Sequence, residues 1–380
     1  MIDINKLFFE LIRVALCNAE SLSHKPSDKE WKLLYDMAKK QSLVGICFAA
    51  VQRLSEEMRP PKILYLNWMG MAAKIQQRNE VMNAQCVEVQ QMIEKEGFHT
   101  FIMKGQGNAA LYNPNLNPNA NLTMLRQSGD IDIYLKGGFE KVNDFVQRTH
   151  PTNEINELEI HYHFLPDTEV EIHYRPFIMR NPFKNRKLQR FFKEEGVKCF
   201  ENKIALPNGA GEIAVPTTTF NLVHQLVHIA HHLYTDGIGF RQLMDYYFVL
   251  RNAQTNGFKE FQEVSDVVLS LGLDRFASAL MWVIGYVFDP GWLDTWILKS
   301  ETGLWKPNEK DGRLLLEEVI KSGNFGHMDE TKADLSNKWK SFWYVNGKTF
   351  RFWRFDHWAW FWSPLWRAYH FAWRKINGYK

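Results

Sequence analysis

The chain is 380 residues long, enough for two or three domains with a sizeable core in each. Its 45% hydrophobic and 23% charged content excludes an intrinsically disordered chain. A formal charge of +3 makes no case for nucleic acid, so any electrostatic argument has to be local.

The opening segment "MIDINKLFFELIRVAL" carries acid where a signal peptide is basic, and reads as an amphipathic helix. No apolar run approaches the roughly 20 residues needed to cross a bilayer. Cys17, Cys47, Cys86 and Cys199 are scattered without metal-type spacing, as expected of buried free thiols in a reducing compartment. A cytoplasmic location is the expectation.

In "DKEWKLLYDMAKKQSLVGICFAAVQRL", Trp31, Leu34, Ala38, Leu43 and Ile46 recur at near-helical spacing, with Asp28 as the expected cap. Ile63 to Lys95 predicts a second long helix ending before Gly97. "HTFIMKG" then reads as a short buried strand meeting a glycine, followed by helix-compatible "QGNAALY" and an Asn/Pro-rich loop, "NPNLNPNANLT". A strand at "DIDIYL", a helix at "GGFEKVNDFVQRTH" and a hairpin of "ELEIHYHFL" and "EVEIHYRP" joined by "PDT" complete a small α/β region. From Val215 the chain turns helical, with a Pro-Thr start, a break at Gly237–Gly239 and a further helix around "GRLLLEEVIKSGN". The expected division is 1–97 helical, 98–215 α/β core, 216–335 helical and 336–380 an aromatic, basic tail.

The chemistry concentrates in the strands. Successive strand residues face opposite ways, so Asp130, Asp132 and Tyr134 share one face and Ile131, Ile133 and Leu135 the other. Two carboxylates roughly 7 Å apart on one face repel unless a cation or a basic partner lies between them. The hairpin repeats the pattern: Glu169, Glu171 and His173 lie opposite Val170, Ile172 and Tyr174, and Glu159, His161 and His163 lie opposite Ile160, Tyr162 and Phe164. Such a sheet has a buried side and a working side. If the Asp130–Asp132 strand neighbours the Glu171 strand, three carboxylates converge on a hard divalent cation, Mg²⁺ or Mn²⁺. The Lys104-Gly105 turn between strand and helix suits a phosphate. Arg126 either pairs with that phosphate or anchors the loop, and Ser128 completes the candidate nucleotide-binding set. His161, His163, His173 and Arg241 are candidate pocket residues.

His224, His228 and His232 fall on one helix, with His231 beside them, but the H-E-x-x-H glutamate is missing: Ile229 follows His228. Hydrogen bonding between helices, a substrate pocket and a metal are the competing roles. Arg241 and Asp245 are spaced for a helix salt bridge, or line a cleft facing the sheet. In the tail, Trp358, Trp362, Trp366, Tyr369 and Trp373 recur at helical spacing among Arg367, Arg374 and Lys375. The tail packs on the body, lies in a membrane interface or stacks bases or sugars, and Pro364 is expected to interrupt its helix.

"KG", a loop, "R-x-x-x-D-I-D-I" and "V-E-I-H" together resemble the bacterial uncharacterised nucleotidyltransferase family of the DNA polymerase β-like superfamily. The flanks "EWKLLYDMAKKQSLVGICFAAV" and "LVHIAHHL…GFRQLMDYYFVL" are similar to that family's, so the resemblance spans about residues 25–255. It implies an α+β protein with a small mixed sheet of the polymerase β type embedded among helices, with helical N- and C-terminal regions. It implies metal held by Asp130, Asp132 and Glu171, phosphate at Lys104 and Gly105, and transfer of a nucleoside monophosphate from an NTP, with ATP favoured, to an unknown acceptor. The superfamily's usual turn is Gly-Ser with a shorter spacing to the acids, from which Lys-Gly and the Asn/Pro loop depart. The alternative is a non-catalytic protein of the same fold that uses its aromatic tail to hold a partner or a membrane surface.

Overall fold

In the computed structural model, residues 3–112, 116–255, 259–292, 305–323 and 338–379 are described. Helix α1 (Ile4–Ala15) starts on Asp3, whose side chain accepts from the Asn5 amide, and buries Leu7, Phe8, Leu11 and Ile12. Helix α2 (Asp28–Lys40) is capped by Ser27 and not, as expected, by Asp28. Ser27 and Glu30 form a reciprocal capping box, which leaves Asp28 to favour the first turn by its charge. A break at Ser42, where φ is +55°, separates α2 from α3 (Val44–Arg53). The long α4 (Lys62–Lys95) follows Pro61 and ends at Gly97, whose φ of +83° suits glycine.

The small sheet comprises β1 (Thr100–Ile102), β2 (Ile131–Leu135), β3 (Glu159–His161) and β4 (Val170–His173), in the order β1-β2-β4-β3. Strand β2 runs parallel to β4, and the two outer pairings are antiparallel. Short helices α5 (Gln106–Ala109) and α6 (Leu122–Leu125) lie between β1 and β2, and α7 (Gly138–Thr149) follows β2. The expected Asn/Pro loop is interrupted by α6, capped by Asn121; residues 113–115 of that loop lie outside the described residues. On the apolar face, Ile131, Ile133, Ile160, Val170 and Ile172 pack against Met82, Val89 and Ile93 of α4 and Val142, Phe145 and Val146 of α7. That burial is what fixes register, because a one-residue slip would turn the aspartates into the core.

Beyond the hairpin the chain forms α8 (Pro182–Cys199) and a two-stranded sheet of β5 (Lys203–Ala205) and β6 (Glu212–Ala214), none of them expected. Then come α9 (Thr218–Tyr234), capped by Thr217, α10 (Phe240–Thr255), α11 (Lys259–Ser270), α12 (Asp274–Phe288) and α13 (Glu309–Ser322). Helix α9 covers the polar face of the sheet: Phe220 meets Phe101 of β1 edge-on, with centroids 5.4 Å apart. The chain closes with α14 (Lys338–Arg351) and α15 (Ala359–Asn377). Helix α15 continues past Pro364, contrary to expectation. The ring lies in the second turn, where it removes a single bond to the Trp360 carbonyl. The architecture is α+β, with a mixed sheet set among helices. Among the described residues, no helix is long and apolar enough to cross a membrane.

Candidate active site

The β2–β4 register places Asp132 beside Glu171, and the β3–β4 register places Glu171 beside His161 and His173 beside Glu159. Three strands thus deliver carboxylates and imidazoles to one spot under α9. Asp132 is 2% exposed and His173 3%. Oδ1 of Asp132 is 2.7 Å from the Lys104 ammonium and 3.0 Å from Nε2 of His173. The same Nε2 is 3.0 Å from Glu159 and 3.7 Å from Glu171.

Each ionisation state follows from these neighbours. Burial opposes the charge on Asp132, but Lys104 and His173 outweigh it and hold the carboxyl well below its usual range. Burial also opposes the His173 imidazolium, and Glu159, Asp132 and Glu171 together lift it to about 10. Glu171 is pushed up to about 7 by burial, with the charges of Asp132 and Glu159 adding to the effect. Asp130 is raised by the charge of Asp132 first and by burial second. An ammonium and an imidazolium therefore face a group of carboxylates.

The donor atoms of Asp132, Glu171 and His173 lie within 4.8 Å of one another, as do those of Glu159, His161 and Glu171. Paired carboxylates on both triplets fit a hard divalent cation, and the imidazole adds a ligand that transition metals take more readily than Mg²⁺. Asp130 belongs to neither triplet. It stands just ahead of β2, with its carbonyl against the Gly105 turn.

The loop that carries Asp130 is clamped from three sides. Arg126 forms two 2.7 Å bonds to Asp245 of α10, deep in the interior, and Tyr112 donates to the same carboxylate at 2.7 Å. Arg126, expected either to pair with a phosphate or to anchor the loop, engages Asp245 through Nε and Nη2, while its Nη1 is buried with no hydrogen-bond partner among the described residues. Asp245 is thereby engaged by Arg126, and Arg241 donates to the Gln127 carbonyl at 2.9 Å. Ser128 Oγ lies 2.7 Å from Asn79 Oδ1 and 2.5 Å from Gln106 Oε1, donating its single proton to one or the other, while Asn79 holds the Met124 and Arg126 carbonyls. Lys104 and Gly105 form the β1–α5 turn, where a φ of +55° requires glycine.

His173, expected only as a pocket residue, lies at the centre. Glu159, on the predicted polar face but not singled out, is its partner. His161 is half-buried, 2.5 Å from Glu169. His163 lies past the end of β3, beside Glu154 and away from the cluster. The α9 histidines divide: His224 is core, turned to the Pro176 carbonyl, whereas His228 stands 3.4 Å from Lys104 and 3.1 Å from His232. Two residues past His173 and two before Glu159, the sheet end opens on a cavity of about 510 Å³ lined by Glu157, Arg175, Arg180 and Trp366.

A family model described as "Uncharacterised nucleotidyltransferase" matches residues 27–289, and the chain belongs to that family. Nucleotidyl transfer is thus the general class of its chemistry, and an NTP its class of substrate. No curated protein and no solved structure matches the chain.

Proposed function

We propose that this chain transfers a nucleoside monophosphate from an NTP, with ATP the favoured donor, to an acceptor hydroxyl. The observation that carries the reading is the pairing of Asp132 with Glu171 on neighbouring parallel strands, with the Lys104 ammonium 2.7 Å from Asp132. Asp130, Asp132 and Glu171 would hold Mg²⁺ or Mn²⁺, which supplies Lewis-acid support to the transferring phosphoryl group and the leaving pyrophosphate. Lys104 reaches the phosphate oxygens from the β1–α5 turn, and Gly105 keeps that turn free of a side chain. Where Glu171 makes no metal contact of its own, its carboxylate takes the acceptor proton as the acceptor oxygen bonds to the α-phosphorus and the bond to pyrophosphate breaks. Arg126, Ser128 and Arg241 keep the Asp130 loop at its station.

The four cysteines are all free, which supports a reducing, cytoplasmic setting. Calorimetric titration of ATP with Mn²⁺ into the wild type and Asp132→Asn tests the assignment. Metal-dependent binding in the wild type and its loss in the variant are expected. Equal binding in both would remove Asp132 from the site.

A further inference from the structure

Helix α15 has two unlike faces. The inner face is tied to the body: Ser363 accepts from Arg180 at 2.6 Å, His370 lies 2.6 Å from Glu157, and Trp373 packs on Phe139. The outer face presents Trp358, Trp360, Phe361, Leu365, Tyr369 and Ile376, which are 41% to 84% exposed. With Ala368 and Ala372 between them, these residues sweep about half the helix circumference at roughly 100° per residue. Helix α14 adds Trp343 and Phe350, each about two-thirds exposed. So many large apolar side chains exposed along two neighbouring helices are unusual and mark an interaction surface.

Charge selects the occupant. From residue 357 to the C-terminus there is no acid, while Arg367, Arg374, Lys375 and Lys380 are basic. The nearest acid in sequence, Asp356, is held by Lys184 at 3.0 Å, and Glu157, 2.6 Å from His370, lies on the inner face. A second copy of the same face would bring like charges together. An anionic bilayer complements them, and its headgroup layer takes the rings of Trp and Tyr while leaving the indole N–H and phenol O–H hydrated.

We infer that the outer face of α14 and α15 docks on an anionic phospholipid surface; no helix among the described residues is long and apolar enough to cross it. This surface is separate from the carboxylate cluster and does not depend on the catalytic reading.

The test is co-sedimentation of the full chain with vesicles of phosphatidylserine and phosphatidylcholine against phosphatidylcholine alone. Binding to the anionic vesicles, weakened by salt and accompanied by a blue shift of tryptophan emission, is expected. Arg374→Glu/Lys375→Glu should weaken binding roughly tenfold to a hundredfold. Trp358→Ser/Phe361→Ser/Leu365→Ser, all at exposed positions, should abolish the blue shift, whereas Asp132→Asn should bind as the wild type does. Failure of the wild type to sediment with anionic vesicles, or undiminished binding by both tail variants, overturns the inference. So does a concentration-dependent self-association that the serine variant removes.

Discussion

Lys104 lies 2.7 Å from Asp132, so the most buried carboxylate of the site carries a cation supplied by the chain itself. Removing that cation leaves an uncompensated charge in the interior. Lys104→Met is expected to lose about 3 kcal/mol of stability. Added Mn²⁺ should recover part of the loss and raise the melting temperature of the variant more than that of the wild type. A variant whose melting temperature ignores Mn²⁺ would show that no divalent ion reaches Asp132.

Glu171 behaves in the opposite sense. Its folded value of about 7 lies above the ordinary 4.5, so its contribution is complete below about 4.5 and is lost as pH rises through 7. Glu171→Gln should therefore be as stable as the wild type or more so at pH 8, by about 1 kcal/mol. The same variant should bind ATP with Mn²⁺ at least about tenfold more weakly. Denaturant titration and calorimetry on one preparation check both halves.

The Arg126–Asp245 pair should matter for stability first. Arg126→Met leaves Asp245 buried opposite an apolar group and is expected to cost about 3–5 kcal/mol in urea unfolding. Arg126→Met/Asp245→Leu should recover much of that loss, because the stranded charge is gone. A double variant as unstable as the single one would place the energy in Tyr112 or the backbone instead.

His224 sets an acid limit. Burial, with help from Lys104 and His173, lowers it from 6.5 to about 3. A group depressed in the folded state gives its full contribution above its unfolded value and loses it as pH falls, here across the window from about 6.5 to about 3. His224→Phe, among Phe177, Phe192 and Phe220, should flatten stability against pH over that window, although it forfeits the bond to the Pro176 carbonyl. Melting temperatures measured from pH 7 to pH 4 on both proteins decide the matter.

The faces of the strands were legible because alternation is a local property: Asp132 and Ile133 point apart whatever the fold does. The pattern left the adjacency of Asp132 and Glu171 as a condition, since two polar faces do not fix which strands pair, and the β2–β4 register meets it. Arg126 was different. Its partner lies 119 residues away on α10, and no spacing near Arg126 announces it. Glu159 could have been found from the hairpin register, which brings it opposite His173. Helix α8 was announced by Asn181-Pro182, a side-chain cap followed by proline, though its apolar positions are sparse. Strands β5 and β6 are three residues each, too short for alternation to register.

Strands β2 and β4 are parallel neighbours, yet α7 and β3 intervene between them in the chain. During synthesis Asp132 therefore emerges well before its companion carboxylate, and the two meet only when that crossover docks. The proposed ion capture at Asp132 and Glu171 would thus be a late event of folding, and a truncated product ending ahead of β4 would lack the second carboxylate.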